Sequence, residues 1–209
     1  MFNKKKKTEE NNTKLTWKQQ LVADLHDLIY VLAGFVIIYM LFFRIVVVVG
    51  PSMYNTLVDG DRLMLLSNVL YNEPKQGDVI VASKKSFKDG ECIIKRVIAT
   101  EGQMVDINFD TGVVYVNNVA LKEDYTYTLT TMDEGMSFPQ IVPDGCVFVM
   151  GDNRNSSSDS RSPQIGFVDE REILGKAFFL LVPGTHGGTE KADSGRIGFL
   201  TRPSTTGAE

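Results

Sequence analysis

Histidine and cysteine are scarce in this chain, with two of each among 209 residues. His26 lies beside an apolar run and His186 in a glycine-rich stretch, so neither is placed to complete a Ser-His-Asp triad or a three-histidine zinc site. Cys92 and Cys146 are too few for a four-cysteine zinc site or a disulfide-rich scaffold. They read as two small apolar core residues or as one bridge. A strong overall charge is lacking as well: the net value is -4. That average hides a segregation along the chain.

Six lysines and two acids fall in residues 1–20, whereas residues 45–209 carry 15 basic and 22 acidic side chains, a net of -7. Between them, residues 28–43 (LIYVLAGFVIIYMLFF) contain no charge and no proline. At 1.5 Å per residue this run covers about 24 Å, short of the roughly 30 Å hydrocarbon core, so its flanks must contribute. Leu25 on one side, with Arg44 snorkelling and residues 45–48 on the other, are the expected extension. Tyr30, Tyr39, Phe42 and Phe43 supply interfacial aromatics. The run has no polar face, as a buried core helix would, and no small-residue cleavage site follows it, as in a removable leader. A permanent single-pass anchor in the cell membrane is expected, in contact with the lipid bilayer. The lysine-rich end should be cytoplasmic by the positive-inside tendency, with the rest extracytoplasmic.

The expected division is a cytoplasmic tail at 1–24, the anchor at 25–48, an outer domain at 49–200 and a disordered tail at 201–209. Within the outer domain, short β-branched runs alternate with Gly, Asn and Asp turn signals, which predicts a mostly β fold. Asp59-Gly60-Asp61, Asp110-Thr111-Gly112 and Asn117-Asn118 read as turns. Residues 104–119 read as a hairpin and, with 122–142, as a small inserted β subdomain. Residues 184–194 read as a mobile polar loop, after which residues 196–200 pack back.

Three segments carry more chemistry than a fold requires. Ser52 follows a valine run, Gly50 and Pro51, where a strand ends and a hydroxyl is exposed. Such a serine is ordinarily part of a turn. Lys95 lies in Cys92-Ile93-Ile94-Lys95-Arg96-Val97-Ile98-Ala99, where period-two alternation puts it on one face with Ile93, Val97 and Ala99. Lysine is rarely buried without a partner, and desolvation lowers its pKa toward a neutral, proton-accepting amine. The bland alternative is a snorkelling edge lysine. Residues 151–161 (GDNRNSSSDSR) follow an apolar strand and hold two Asp, two Arg and four Ser, enough for a buried ion-pair network. Arg154 occupies the place of the third ligand of a calcium loop, which excludes that reading. Together the segments suggest a hydroxyl nucleophile, a desolvated lysine as its base, and a polar network that orients the lysine.

These boxes resemble bacterial type I signal peptidases, the Gram-positive branch in particular. The resemblance rests on Gly50-Pro51-Ser52-Met53 with Thr56-Leu57, Gly60-Asp61-Arg62, Lys95-Arg96-Val97-Ile98 and residues 151–161, in that order after an anchor. It implies a mostly β, signal-peptidase-like catalytic core and a Ser/Lys dyad that cuts signal peptides from exported preproteins after small residues. By position, Ser52 is the nucleophile, Lys95 the general base and Ser157 a hydrogen-bond partner of the amine. Asp159 and Arg161 support that site, with Asp152 and Arg154 as further members of the network. Met53, Leu57 and Ile94 are the expected pocket-lining residues. Signal peptides, the bilayer and the export machinery are the implied partners; no cofactor, metal, nucleotide or nucleic acid is called for. Some members place a hydroxyl donor for the oxyanion two residues before the nucleophile, where this chain has Gly50. Asn55 stands where proline is common, and Ala99-Thr100-Glu101-Gly102-Gln103 replaces a glycine followed by Pro-Gly-Asp. A repressor-type Ser/Lys protease and a non-catalytic anchored binding protein on this fold are the competing readings.

Overall fold

The computed structural model describes residues 16–87, 90–185 and 192–203. Its first element is a 26-residue helix, α1 (Trp17–Phe42), long and apolar enough to cross a membrane, with no buried residue along it. At 1.5 Å per residue it extends roughly 39 Å, beyond the hydrocarbon thickness. The extra length comes from the N-terminal side. Residues 17–24, expected in the tail, are helical, and residues 45–48, expected to prolong the anchor, are not. Phe43–Val47 instead forms β1, paired antiparallel with β2 (Arg62–Ser67) from Phe43↔Leu66 to Val47↔Arg62. The physical reason lies in the run Ile45-Val46-Val47-Val48-Val49, whose β-branched side chains are stiff in a helix and fit a pleated surface.

Residues Leu41–Glu209 form a separate compact unit. Its main sheet has the order β1-β2-β11-β3-β4-β9-β10, with β12 (Gly198–Phe199) added against β11 (Ile173–Val182). The remaining strands are β3 (Val79–Ser83), β4 (Cys92–Thr100), β9 (Cys146–Met150) and β10 (Val168–Asp169). A second sheet, ordered β7-β6-β5-β8, is built from β5 (Met104–Asn108), β6 (Val113–Val116), β7 (Val119–Ala120) and β8 (Gln140–Ile141). Its strands turn where the composition predicts. Asn108 Oδ1 accepts from the N–H groups of Asp110 and Thr111, and Asn117 and Asn118 take the left-handed conformation at φ 51° and 66°.

Three clusters make the core. Leu63, Leu65, Val79, Val81 and Leu180 fill one side of the main sheet; Ile80, Ala82, Ile93, Val97 and Val149 fill the other. The third joins the two sheets through Ile98, Ala99, Val105, Val114, Phe148 and Met150. Strand β9 shows why: its alternating side chains supply Val147 and Val149 to one cluster and Phe148 and Met150 to another. Strand β4 departs from strict alternation. Its pairing with β9 skips from Val97↔Val149 to Ala99↔Phe148, and this irregularity turns Ala99 away from the Val97 face into the third cluster, contrary to the expected common face.

Asp61, fully buried, ties the chain together by accepting from Val58 and Gly184 N–H and from the Arg196 guanidinium. The chain therefore does pack back after 193. Most of the polar loop expected over 184–194 lies at 186–191, outside the described residues, as does His186. Of the tail expected to be disordered, 204–209 also lies outside them, but Arg202 donates twice to buried Asp78 Oδ1 at 2.9 and 2.8 Å. Both cysteines are unbridged; Cys92 is exposed, so it is not a core residue, and Cys146 is half-buried.

Candidate active site

Ser52 sits just past the end of β1, where Gly50 takes φ +85° and turns the chain. The Gly50 N–H is held by Asp59 Oδ1 at 2.8 Å, and after Ser52 one helical turn closes with Leu57 N–H donating to the Met53 carbonyl at 2.8 Å. The loop that follows β9 grips the same turn. Asn153 N–H donates to the Ser52 carbonyl at 3.0 Å, and Asn153 Nδ2 to the Pro51 carbonyl at 3.2 Å.

Lys95 comes from the middle of β4, opposite Ile80 of β3, and is 5% exposed. Its Nζ lies 2.9 Å from Ser52 Oγ and 3.1 Å from the Ile94 carbonyl oxygen. Burial lowers its pKa from 10.5 to about 8, against the opposing pull of Asp159, Glu134 and Asp152. About half of the amine is thus neutral at pH 8, and the neutral form is able to accept a proton.

Residues 151–161 form the buried network their composition suggests. Asp159 Oδ2 accepts from Gly151 N–H at 3.0 Å, Ser157 Oγ at 2.9 Å and Arg161 Nη2 at 2.9 Å, and its Oδ1 accepts from Arg161 Nε at 2.8 Å. The Ser157 hydroxyl proton therefore goes to Asp159. This corrects the expectation that Ser157 bonds the lysine amine, whose partners are Ser52 and Ile94. Asp152 makes a two-point contact with Arg96, at 2.8 and 2.6 Å, and accepts from Thr56 Oγ1. Arg154 reaches Gly151 O, Thr130 Oγ1 and both carboxylate oxygens of Glu123.

Several of these partners carry no sequence signal of their own. Arg96 adjoins Lys95 in the strand and points to the opposite face, where Tyr125 stacks 4.2 Å from its guanidinium carbon. Glu123, Thr130 and Glu134 arrive from the segment between β7 and β8, far from the boxes they serve.

A cleft of about 420 Å³ opens at Ser52 and Lys95. Residues 46–49 line one wall and residues 91–94 the other, with Val81, Phe87 and Ser158. Both walls expose strand edges: among the described residues β1 pairs only with β2, and β9 pairs with β4 only from Arg96 onward, leaving residues 92–95 open on that side. Of the three expected pocket residues, Met53 and Ile94 line the cleft, whereas Leu57 does not. Leu57 is wholly buried in the first core cluster, because the turn after Ser52 directs it inward. Among the described residues no group of three His, Cys, Asp or Glu side chains is arranged to hold a metal ion.

A family profile described as "Signal peptidase, peptidase S26" matches residues 22–182. The "Probable signal peptidase I-1" of Synechocystis is 37% identical over 147 residues, covering 66% of this chain and 71% of its own. The "Signal peptidase I T" of Bacillus subtilis is 36% identical over 187 residues, 86% of this chain and 89% of its own. A solved signal peptidase I from Enterococcus faecalis aligns with 50% of this chain and 96% of its own at 30% identity and a TM-score of 0.40. On the family match and on relatives aligned over most of both chains, this protein belongs to the signal peptidase family, peptidase S26.

Proposed function

We propose that Ser52 is the nucleophile and Lys95 the general base of the reaction that this family performs. The chain is a membrane-anchored serine endopeptidase that removes signal peptides from preproteins. One observation carries the assignment of roles: a buried lysine whose pKa is held at about 8 has its Nζ 2.9 Å from a serine hydroxyl at the mouth of a cleft.

Neutral Lys95 takes the Ser52 proton as Oγ attacks the carbonyl at the end of the signal peptide. The C–N bond breaks, the Lys95 ammonium gives its proton to the leaving amine, and the signal peptide stays on Ser52 as an ester. Water, activated by the same lysine, releases it. The oxyanion is met by the Ser52 backbone N–H; Gly50 offers no side-chain donor two residues earlier. Asp159 fixes Ser157 and Gly151, Arg161 holds Asp159, and the Arg96–Asp152 and Arg154–Glu123 pairs hold the ends of the loop.

The cleft between two open strand edges suits an extended peptide that pairs with both walls, alternate side chains entering it. Met53 and Ile94 there favour small side chains before the cut. The lysine-rich end lies in the cytoplasm and the catalytic unit outside, where the export machinery delivers its substrates.

Cleavage of a purified preprotein by the full chain in detergent tests these roles. Ser52→Ala and Lys95→Ala are each expected to lower kcat by about 10³-fold or more. Near wild-type processing by Lys95→Ala would remove the lysine from the mechanism.

A further inference from the structure

The buried cluster around Lys95 balances its charges in pairs, with one acid left over. Arg96 faces Asp152, Arg154 faces Glu123 and Arg161 faces Asp159. Glu134 is a second acid on an arginine already matched: its Oε1 lies 3.0 Å from Arg161 Nη2, while Asp159 Oδ1 holds Arg161 Nε at 2.8 Å. The side chain of Glu134 is 16% exposed, at the wall of a second cavity shared with Met132, Asn155, Ser157 and Ser158. Ser158 also lines the Ser52 cleft, so this carboxylate stands directly behind the catalytic loop.

The reaction assigned above creates a charge in that place. Breaking the Ser52 O–H bond and forming a fourth bond to Lys95 Nζ puts an ammonium into a site that is 5% exposed. An uncompensated buried charge is costly, and a nearby carboxylate offsets it. We propose that Glu134 is a positioning residue for catalysis, whose carboxylate, sharing Arg161 with Asp159, supplies the counter-charge for the Lys95 ammonium. The inference rests on Lys95 being the base. Glu134 gains and loses no proton in the step.

The surroundings on both sides agree with this role. The charges that act on Glu134 are those of Asp159, Arg161 and Lys95, and those that act on Lys95 are Asp159, Glu134, Asp152 and Arg161. Burial first, and Asp159 second, raise the Glu134 pKa to about 7. Through the pH range above 8 in which the Lys95 amine becomes neutral, Glu134 is therefore mostly ionised and ready when the ammonium forms. The sign is fixed: a carboxylate favours the protonated lysine, so removing its charge lowers the lysine pKa.

The test is the pH dependence of kcat for the full chain with a purified preprotein, wild type against Glu134→Gln. The acid limb of the variant is expected about half a unit or more below that of the wild type. Its plateau should fall several-fold, since a weaker base forms an unbalanced ammonium. In a Ser52→Ala background, modification of Lys95 by an amine-reactive reagent should show the same downward shift, independent of turnover. A limb that coincides with the wild type, even with a lower plateau, would reduce Glu134 to a packing residue and overturn the inference. Turnover by Lys95→Ala would instead overturn the dyad, and this inference with it.

Discussion

At Gly151 a single methyl group would collide with both Ser157 and the Ser52 carbonyl. A Cβ there would stand 2.2 Å from Ser157 Oγ and 2.5 Å from the Ser52 carbonyl oxygen, both far inside van der Waals contact. The glycine is what lets the network loop lie against the Ser52 turn. Gly151→Ala is expected to lower kcat by about 10²-fold, since displacement of a reacting group by an ångström costs that much. Steady-state cleavage kinetics check it, and an unchanged kcat would show that the loop shifts without moving Ser52. Lys95 was legible because a lysine among alternating apolar residues needs a reason to be there. Gly151 opens the 151–161 motif, but its role depends on Ser52, which lies 99 positions earlier, and no local pattern reports that approach. The same holds for Glu123 and Glu134, whose charges look like ordinary solvated acids until Arg154 and Arg161 are placed beside them.

Strand β4 organises the site because both of its faces are used. One side carries Lys95 to Ser52, and the next residue, Arg96, fastens Asp152 and with it the start of the network loop. Arg96 and Asp152 are 2% and 0% exposed, so removing one charge strands the other. Asp152→Asn should therefore destabilise the fold by about 3–5 kcal/mol, read by denaturant unfolding in detergent. A loss below about 1 kcal/mol would mean that the pair is solvated in solution. The strands themselves were readable as β-branched runs between turn signals. Two features were not. The irregularity after Val97 leaves no mark in the composition yet redirects Ala99, and the switch from helix to strand falls at Phe43, the last residue of the uncharged run, one position before Arg44. There the β-branched run from Ile45, together with the pairing of β1 with Leu63, Leu65 and Leu66, sets the conformation.

Over the whole chain, a lysine-rich beginning, an apolar helix and an acidic β unit add up to a near-neutral average that conceals a membrane enzyme. Scarcity of histidine has its counterpart in the proposed base: Lys95 is a lysine, and its burial lowers its pKa toward the neutral form that a base needs. That burial unites the three core clusters, the paired charges and the cleft in one requirement, an amine that loses its proton near neutral pH while facing a hydroxyl. The most direct test is the pH dependence of kcat/KM for preprotein cleavage by the full chain in detergent. With Lys95 as the proposed base, the free enzyme turns over only with it unprotonated, so the rate should rise tenfold per unit on the acid side and bend to a plateau near pH 8. A maximum near pH 5, or a profile still rising as steeply at pH 10 as at pH 7, would contradict a buried neutral lysine as the base.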